Sequence, residues 1–334
     1  MGVKALRKIQ IGAESTPGTP VAATTIWRGI GLLEDLREVK HVEEQVGIAL
    51  PTTRAYIPML GCKVAFDPIE ATFQQLPYIF EAGVATETPT QDGAGSDYIY
   101  EYIMPTTAVN TLRHYTIEMG DNVLVQETDY AFVEKFKISG NATEGVMMSA
   151  DWRGRDVVDA SFTGALSVPT LIPGDHLVFG GSTLAIDAVG GTLGATAITS
   201  TLLSFDLDVT TGLKAKWTNL GKDFDYVYFD KGSFDATLKL VYENDTNGIA
   251  QRDLFEAATP RQLRLQFTGP AVATPGTTYS VLTFQIDAAG IYTSMPQSDK
   301  DGNTTIEAEM KIGYDLTAAL GLTFRVVNEL SALT

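Results

Sequence analysis

Apolar and polar residues alternate along most of this chain, the period-two mark of strands with one buried and one solvated face. In 203–210, Leu203, Phe205, Leu207 and Val209 hold the odd positions, with Ser204, Asp206, Asp208 and Thr210 between them. The pattern returns in 234–242, 263–267, 282–287 and 306–314, the last an unusually long run built on Ile306, Ala308, Met310 and Ile312. The first half has its counterparts in 115–119, 132–138 and 146–152. Strands of this kind form antiparallel sheets that cover one face with core and leave the other wet. Two segments break the rhythm. Ile69, Phe73, Leu76 and Phe80 fall at helical spacing and predict a helix over 68–82, with Pro77 kinking or stopping it. Asp245-Thr246-Asn247 offers N-cap chemistry ahead of a short helix over 249–256.

Each half therefore reads as many strands and one helix, which points to an internal repeat. Leu32-Leu33 matches Leu202-Leu203, Ile117 matches Ile286, and Gly154 matches Gly313. The expected fold is all-β with one short helix per repeat, in two tandem related β-barrel or sandwich domains. An extended N-terminal arm is expected over 1–29, a first domain over 30–158, and a Gly/Ala/Thr-rich connection over 159–200. The second domain is expected over 201–334, ending in a C-terminal arm from Leu316. The connection holds Pro169 and Pro173 and a small hairpin expected over 176–186, turning at Gly180-Gly181. Pro17, Gly18 and Pro20 predict extended chain over 12–25, and Pro89, Gly93 and Gly95 a mobile loop over 86–97.

Composition narrows the function. The 334 residues carry 24 Lys and Arg against 41 Asp and Glu, a net charge of −17, which disfavours non-specific binding to phosphate backbones. No apolar window is long enough for a transmembrane helix, and Met1 to Lys8 has charge but no apolar run behind it, so neither membrane insertion nor a signal peptide is expected. The single cysteine, Cys62, lies among Leu60, Val64 and Phe66 and reads as a buried structural thiol. His41, His114 and His176 lie far apart, with no nucleophile elbow nearby.

Other motifs have plainer explanations. Asp299-Lys300-Asp301-Gly302-Asn303 resembles a calcium loop, but its spacing departs from the EF-hand and suits a hairpin turn. Gly190, Gly191 and Gly194 open no helix and precede no Lys-Ser/Thr, as a phosphate loop requires. The pairs Asp206/Asp208 and Glu307/Glu309 each share the polar face of a strand. The basic pairs Arg153/Arg155 and Lys214/Lys216 are too isolated for a nucleic-acid groove and are expected to meet acids on a neighbouring subunit. No catalytic constellation, cofactor site or metal site emerges.

Several stretches resemble, in order, the tail tube (major tail) proteins of long-tailed bacteriophages. They begin with Glu14-Ser15-Thr16-Pro17-Gly18-Thr19-Pro20-Val21-Ala22-Ala23 and Phe73-Gln74-Gln75-Leu76-Pro77-Tyr78-Ile79-Phe80-Glu81. Next come Tyr115-Thr116-Ile117-Glu118-Met119-Gly120-Asp121 and Ser149-Ala150-Asp151-Trp152-Arg153-Gly154-Arg155-Asp156. The last are Ser200-Thr201-Leu202-Leu203-Ser204-Phe205, Thr211-Gly212-Leu213-Lys214, Leu265-Gln266-Phe267-Thr268-Gly269 and Ala289-Gly290-Ile291-Tyr292-Thr293. The resemblance implies a structural virion protein, not an enzyme, whose rings stack into a tube for DNA ejection. A duplicated chain implies a trimeric ring with pseudo-sixfold symmetry, contacts with tape-measure and other tail proteins, and passage of duplex DNA without specific binding. Asp206, Asp208, Glu307 and Glu309 are then the candidate lumen wall. Glu14, Thr16, Pro17, Thr19 and Val21, with 86–97 and the chain from Leu316, are the candidate inter-ring contacts. Residues 12–25 of the arm are expected to be dispensable for folding and needed for tube formation. The competing expectation is another self-assembling phage β-protein, a tail-completion or surface-fibre module.

Overall fold

The computed structural model describes residues 2–50, 52–106, 108–164, 166, 175–199, 201–230, 234–300 and 302–333. Pro169, Pro173 and Asp301 lie outside them. The chain is all-β with little helix. A first run comprises β1 (Lys8–Ala13), β2 (Thr25–Trp27), β3 (Gly31–Asp35), β4 (Lys40–Glu43), β5 (Thr52–Tyr56) and β6 (Cys62–Glu70). It continues through α1 (Leu76–Gly83), β7 (Thr90–Gln91), β8 (Tyr98–Ile103), β9 (Tyr115–Gly120), β10 (Val125–Asn141), β11 (Met147–Gly154) and β12 (Val158–Ala160). A second run comprises β13 (Ser182–Ala188), β14 (Ala197–Ile198), β15 (Leu202–Thr210), β16 (Leu213–Lys216), β17 (Tyr226–Phe229) and β18 (Asp235–Glu243). After it come α2 (Thr246–Glu256), β19 (Arg261–Ala271), β20 (Val281–Ser294), β21 (Gln297–Lys300), β22 (Asn303–Ile312) and β23 (Leu322–Asn328).

The two runs share one pairing plan. In the first, β1 pairs β2 and β9, β3 pairs β6, β4 pairs β5, β6 pairs β11, and β10 pairs β9, β11 and β12. In the second, β13 pairs β14 and β19, β15 pairs β18, β16 pairs β17, β18 pairs β22, and β20 pairs β19, β22 and β23. The second run therefore starts at β13, inside the stretch expected to be a connection. The expected matches find the right strands twice: Leu33 and Leu203 lie in β3 and β15, and Gly154 and Gly313 close β11 and follow β22. Ile117 lies in β9, however, whose counterpart is β19, and Ile286 lies in β20.

All pairings are antiparallel, and no ring of strands closes among the described residues. One wide sheet runs β3-β6-β11-β10-β15-β18-β22, continued by the C-terminal end of β20 and by β21. The first half of β10 leaves it for a smaller sheet with β9, β1, β2 and β12, and the first half of β20 for one with β19, β13, β23 and β8. The two small sheets pack on the apolar face of the wide one. Trp27 meets Phe66 at 4.9 Å and Phe205 meets Phe267 at 5.4 Å. The alternating runs 203–210, 234–242 and 306–312 belong to the wide sheet, and 263–267 to β19 of a small one. By contrast, 115–119 in β9 and 282–287 in the first half of β20, expected to keep one wet face, are buried on both.

The halves share one continuous hydrophobic cluster. They are also joined by the β10–β15 pairing and by β8, an insertion of the first run that pairs with β23 of the second. Helix α1 sits at this junction, every residue buried. The expected helix over 68–82 is split: Ile69 belongs to β6, and Pro77 stands in the first turn of α1, where its missing N–H has no intrahelical partner to lose. Helix α2 begins as expected, with the Asp245 carboxylate accepting the Gly248 N–H at 2.9 Å. Asp245→Ala should therefore cost about 1 kcal/mol in urea titrations.

The other expected loose segments are tied down. The hairpin expected at Gly180-Gly181 is a short 3-10 turn leading into β13, whose hairpin partner is β14. In 86–97, Asp92 accepts the N–H groups of Thr278 and Tyr279, both at 2.7 Å. The chain after Leu316 turns into β23, buried along its length. The N-terminal arm is instead β1 and β2 joined by an anchored loop, and Ile9 and Ile11 are core residues. Deletion of 12–25 should thus abolish cooperative unfolding by circular dichroism, contrary to a dispensable arm.

Candidate functional site

The outward face of the wide sheet collects most of the paired charge. Pairing places Asp206 beside Ser139 and Lys239, Asp208 beside Lys137 and Thr237, and Lys239 beside Glu309. All four expected carboxylates lie on this one face, with Glu307 exposed and the other three partly so. Three of them, Asp206, Asp208 and Glu309, are paired with lysines. Lys137 Nζ lies 2.6 Å from Asp206 and 3.7 Å from Asp208, Lys135 lies 3.7 Å from Asp208, and Lys239 lies 3.5 Å from Glu309. Further along, Lys63 pairs with Asp151 at 3.7 Å, and Lys311 contacts Asp235. The hydrogen bond to Asp206, ahead of the opposing effect of burial, raises the Lys137 pKa and keeps its ammonium charged. The expected bare acidic wall is a mixed ladder in which carboxylates hold lysines. The signal that could have found it is the alternation Lys135-Phe136-Lys137 in the strand that pairs with Asp206 and Asp208.

Three of the four basic residues expected at a subunit interface, Arg153, Arg155 and Lys214, have partners within the chain. Arg153 makes a two-pronged contact with Glu134 at 3.1 and 3.2 Å. Arg155 donates to the Gly18 carbonyl at 3.2 Å, and its guanidinium stands 4.5 Å over the Tyr130 ring and 5.6 Å from that of Phe224. It thereby clamps the β1–β2 loop to the β16–β17 hairpin. Lys214 pairs with Asp230 at 2.5 Å across that hairpin, and Lys216 is exposed at its far end. Their isolation in sequence concealed acids on the opposite arm of the same hairpin, as Glu134 is to Arg153 and Asp230 to Lys214.

The β1–β2 loop is half anchor and half surface. Glu14 is buried, which raises its carboxyl pKa, and accepts the N–H groups of Tyr130 and Gly18, both at 2.7 Å, and the Thr116 hydroxyl at 3.1 Å. The Tyr130 bond holds a non-glycine residue at φ 53°, the bulge where β10 bends from one sheet to the other. Val21 is partly buried, its N–H on Thr116 Oγ1 at 3.0 Å. Thr16, Pro17 and Thr19 are exposed and free to meet a neighbour.

Residues of catalytic type are dispersed. His114 is buried against Tyr130 at 4.4 Å, and burial, then Arg155, pushes its pKa down to about 4. His41 and His176 are exposed on separate elements. Cys62 is buried behind Thr128 at 3.0 Å, and burial pushes its thiol up to about 11. The calcium-like motif is the β21–β22 hairpin, with Gly302 at φ 82° in its turn. Among the described residues, no three His, Cys, Asp or Glu side chains gather as metal ligands, and no helix is long and apolar enough to cross a membrane. Compared with known proteins, the chain matches no family profile and no curated relative.

Proposed function

We propose that this chain is a structural subunit of a phage tail tube, a virion protein that assembles with copies of itself into stacked rings enclosing a channel for DNA. The observation that carries the reading is the repeat, in which one strand plan occurs twice and the copies are joined edge to edge by β10 and β15. Three such chains present six equivalent units around a ring. The ordered sequence resemblance supports the class. Tape-measure and other tail proteins are the expected neighbours within the tail.

The charged face of the wide sheet is the proposed lumen wall. Duplex DNA slides past such a wall when phosphates find no free cation, and here each nearby lysine is held by a carboxylate. The double variant Asp206→Asn/Asp208→Asn releases Lys135 and Lys137. It should gain salt-sensitive affinity for duplex DNA, its log K falling with log salt by a slope near two, about 0.9 per phosphate contact. Titration by fluorescence anisotropy reads this, and an unchanged variant removes the face from the lumen. Negative-stain electron microscopy across a concentration series tests the class. Hollow tubes or rings with threefold or sixfold symmetry are expected, and solid fibres would favour the surface-fibre reading.

A further inference from the structure

The internal junction predicts an external one. β15 uses both edges, one on β18 and the other on β10 of the preceding repeat. Its counterpart β3 pairs only with β6, and among the described residues its other edge has no partner strand. The counterpart of β10 is β20 continued by β21, and past Gly290 that strand pairs on one side with β22 and on the other side with nothing described. We propose that β3 of one copy adds to the free edge of residues 295–299 of a second copy, head to tail, repeating the β10–β15 junction between molecules. The inference takes its partner, a second copy, from the self-assembling reading above. It draws its geometry from the repeat alone.

The register follows from matching irregularities. β10 shifts against β11 between Val133 and Lys135, and β20 shifts against β22 between Tyr292 and Ser294. Val133 therefore corresponds to Tyr292, Ile138 to Gln297 and Ser139 to Ser298. Leu33 faces Val64 as Leu207 faces Leu238. Within the chain, Leu207 faces Ile138 and Asp206 faces Ser139. Between chains, Leu33 then faces Gln297 and Leu32 faces Ser298.

Backbone directions agree. The bonds Asp67 N–H to Ile30 carbonyl and Leu36 N–H to Gly61 carbonyl show that even-numbered residues of β3 bond inward, so Gly31, Leu33 and Asp35 point outward. Likewise the Glu307 N–H donates to the Pro296 carbonyl, so Pro296 faces β22 and Met295, Gln297 and Asp299 face out. The one residue lacking an N–H is thus turned away from the new edge.

A second contact is missing its partner in the same way. The β16–β17 hairpin buries Leu213, and the loop at its tip Phe224, on Tyr130 and Phe132 of the preceding repeat. Its counterpart, β4–β5, stands as a separate two-stranded sheet and exposes Val46, Ile48 and Leu50, the last 79%. The counterpart of Phe132 is Ile291, 42% exposed, which lines a shallow surface pocket with Tyr314. Isolated hairpins are marginally stable in water, and exposed strand edges invite pairing, so one head-to-tail contact satisfies both surfaces. Heterologous contacts of this type close into rings when the rotation permits.

Cysteine pairing tests the register. Leu32 and Ser298 form a non-hydrogen-bonded pair, whose short Cα separation suits a disulfide. L32C/S298C should give, on mild oxidation, covalent oligomers ending in a closed ring on non-reducing gels and by mass, and Cys62 is too buried to compete. L32C/Q297C, with side chains on opposite faces, should give none. Leu33→Pro removes one outward N–H and should reduce assembly at least tenfold, with the melting temperature read alongside because Leu33 also packs on the core. Monomer from L32C/S298C at the highest soluble concentration overturns the proposal even if the proline variant misfolds. Crosslinked rings that never stack uphold the junction and sink the tube, whereas tubes that form without the L32C/S298C crosslink do the reverse.

Discussion

Phe80→Ala is expected to destabilise the protein by about 3–5 kcal/mol, the usual range for emptying a large aromatic site in a close-packed core. Phe80 is fully buried on α1, stacked on Phe324 at 4.4 Å, and lies 5.4 Å from Tyr102, 5.6 Å from Phe136 and 6.0 Å from Phe284. Tyr102 and Phe136 come from the first run of strands, Phe284 and Phe324 from the second. The cavity therefore opens in the core both halves share. Calorimetry should show a single transition in the wild type that shifts as a whole in the variant. Two transitions, only one of them moved, would mean that the halves fold as separate domains.

Stability between pH 4.5 and 6.5 should be nearly flat because two buried groups oppose one another. Glu81 lies 3.1 Å from Arg113 and accepts the Tyr115 hydroxyl at 3.2 Å, yet burial outweighs both and pushes its pKa up to about 7. The folded state then holds the proton more tightly than the unfolded one. Stability from this group is full below pH 4.5 and falls by about 3 kcal/mol as pH rises to 7. His114 runs the other way. With its pKa lowered to about 4, the unfolded chain takes the proton first, so stability is full above 6.5 and falls by about 3 kcal/mol as pH drops to 4. Glu81→Gln should leave a curve that rises from pH 4 to 6.5, and His114→Phe one that falls from 4.5 to 7. Urea midpoints across pH 4–8 read both, and two variants that parallel the wild type would refute the balance.

The legible parts were those governed by near neighbours. The alternation over 203–210 and 234–242 reported half-buried strands because the wide sheet has one wet face and one dry one. Asp245 announced α2 because a cap is a contact between residues three apart. The helix over 68–82 was misjudged because Ile69 and Phe73 fit a helical stripe while β6 claims Ile69 through its ladder with β11. Gly- and Pro-rich stretches read as mobile where distant partners hold them, as Thr278 and Tyr279 hold Asp92. The candidate carboxylates were visible, but the lysines that neutralise them were not placed.

By itself, then, the sequence determined the all-β class, the short helices, the thiol buried at Cys62 and the doubling of the chain. Each depends on local periodicity, short-range capping or composition. Only the tertiary structure decided that the halves share one core, that Glu14 is a buried anchor, that Arg153 and Arg155 are occupied within the chain, and that β3 and β21 have an edge with no partner strand among the described residues. Strand pairing joins residues from tens to more than two hundred positions apart, and its partners are selected by burial and by backbone hydrogen bonds that leave no mark on local pattern.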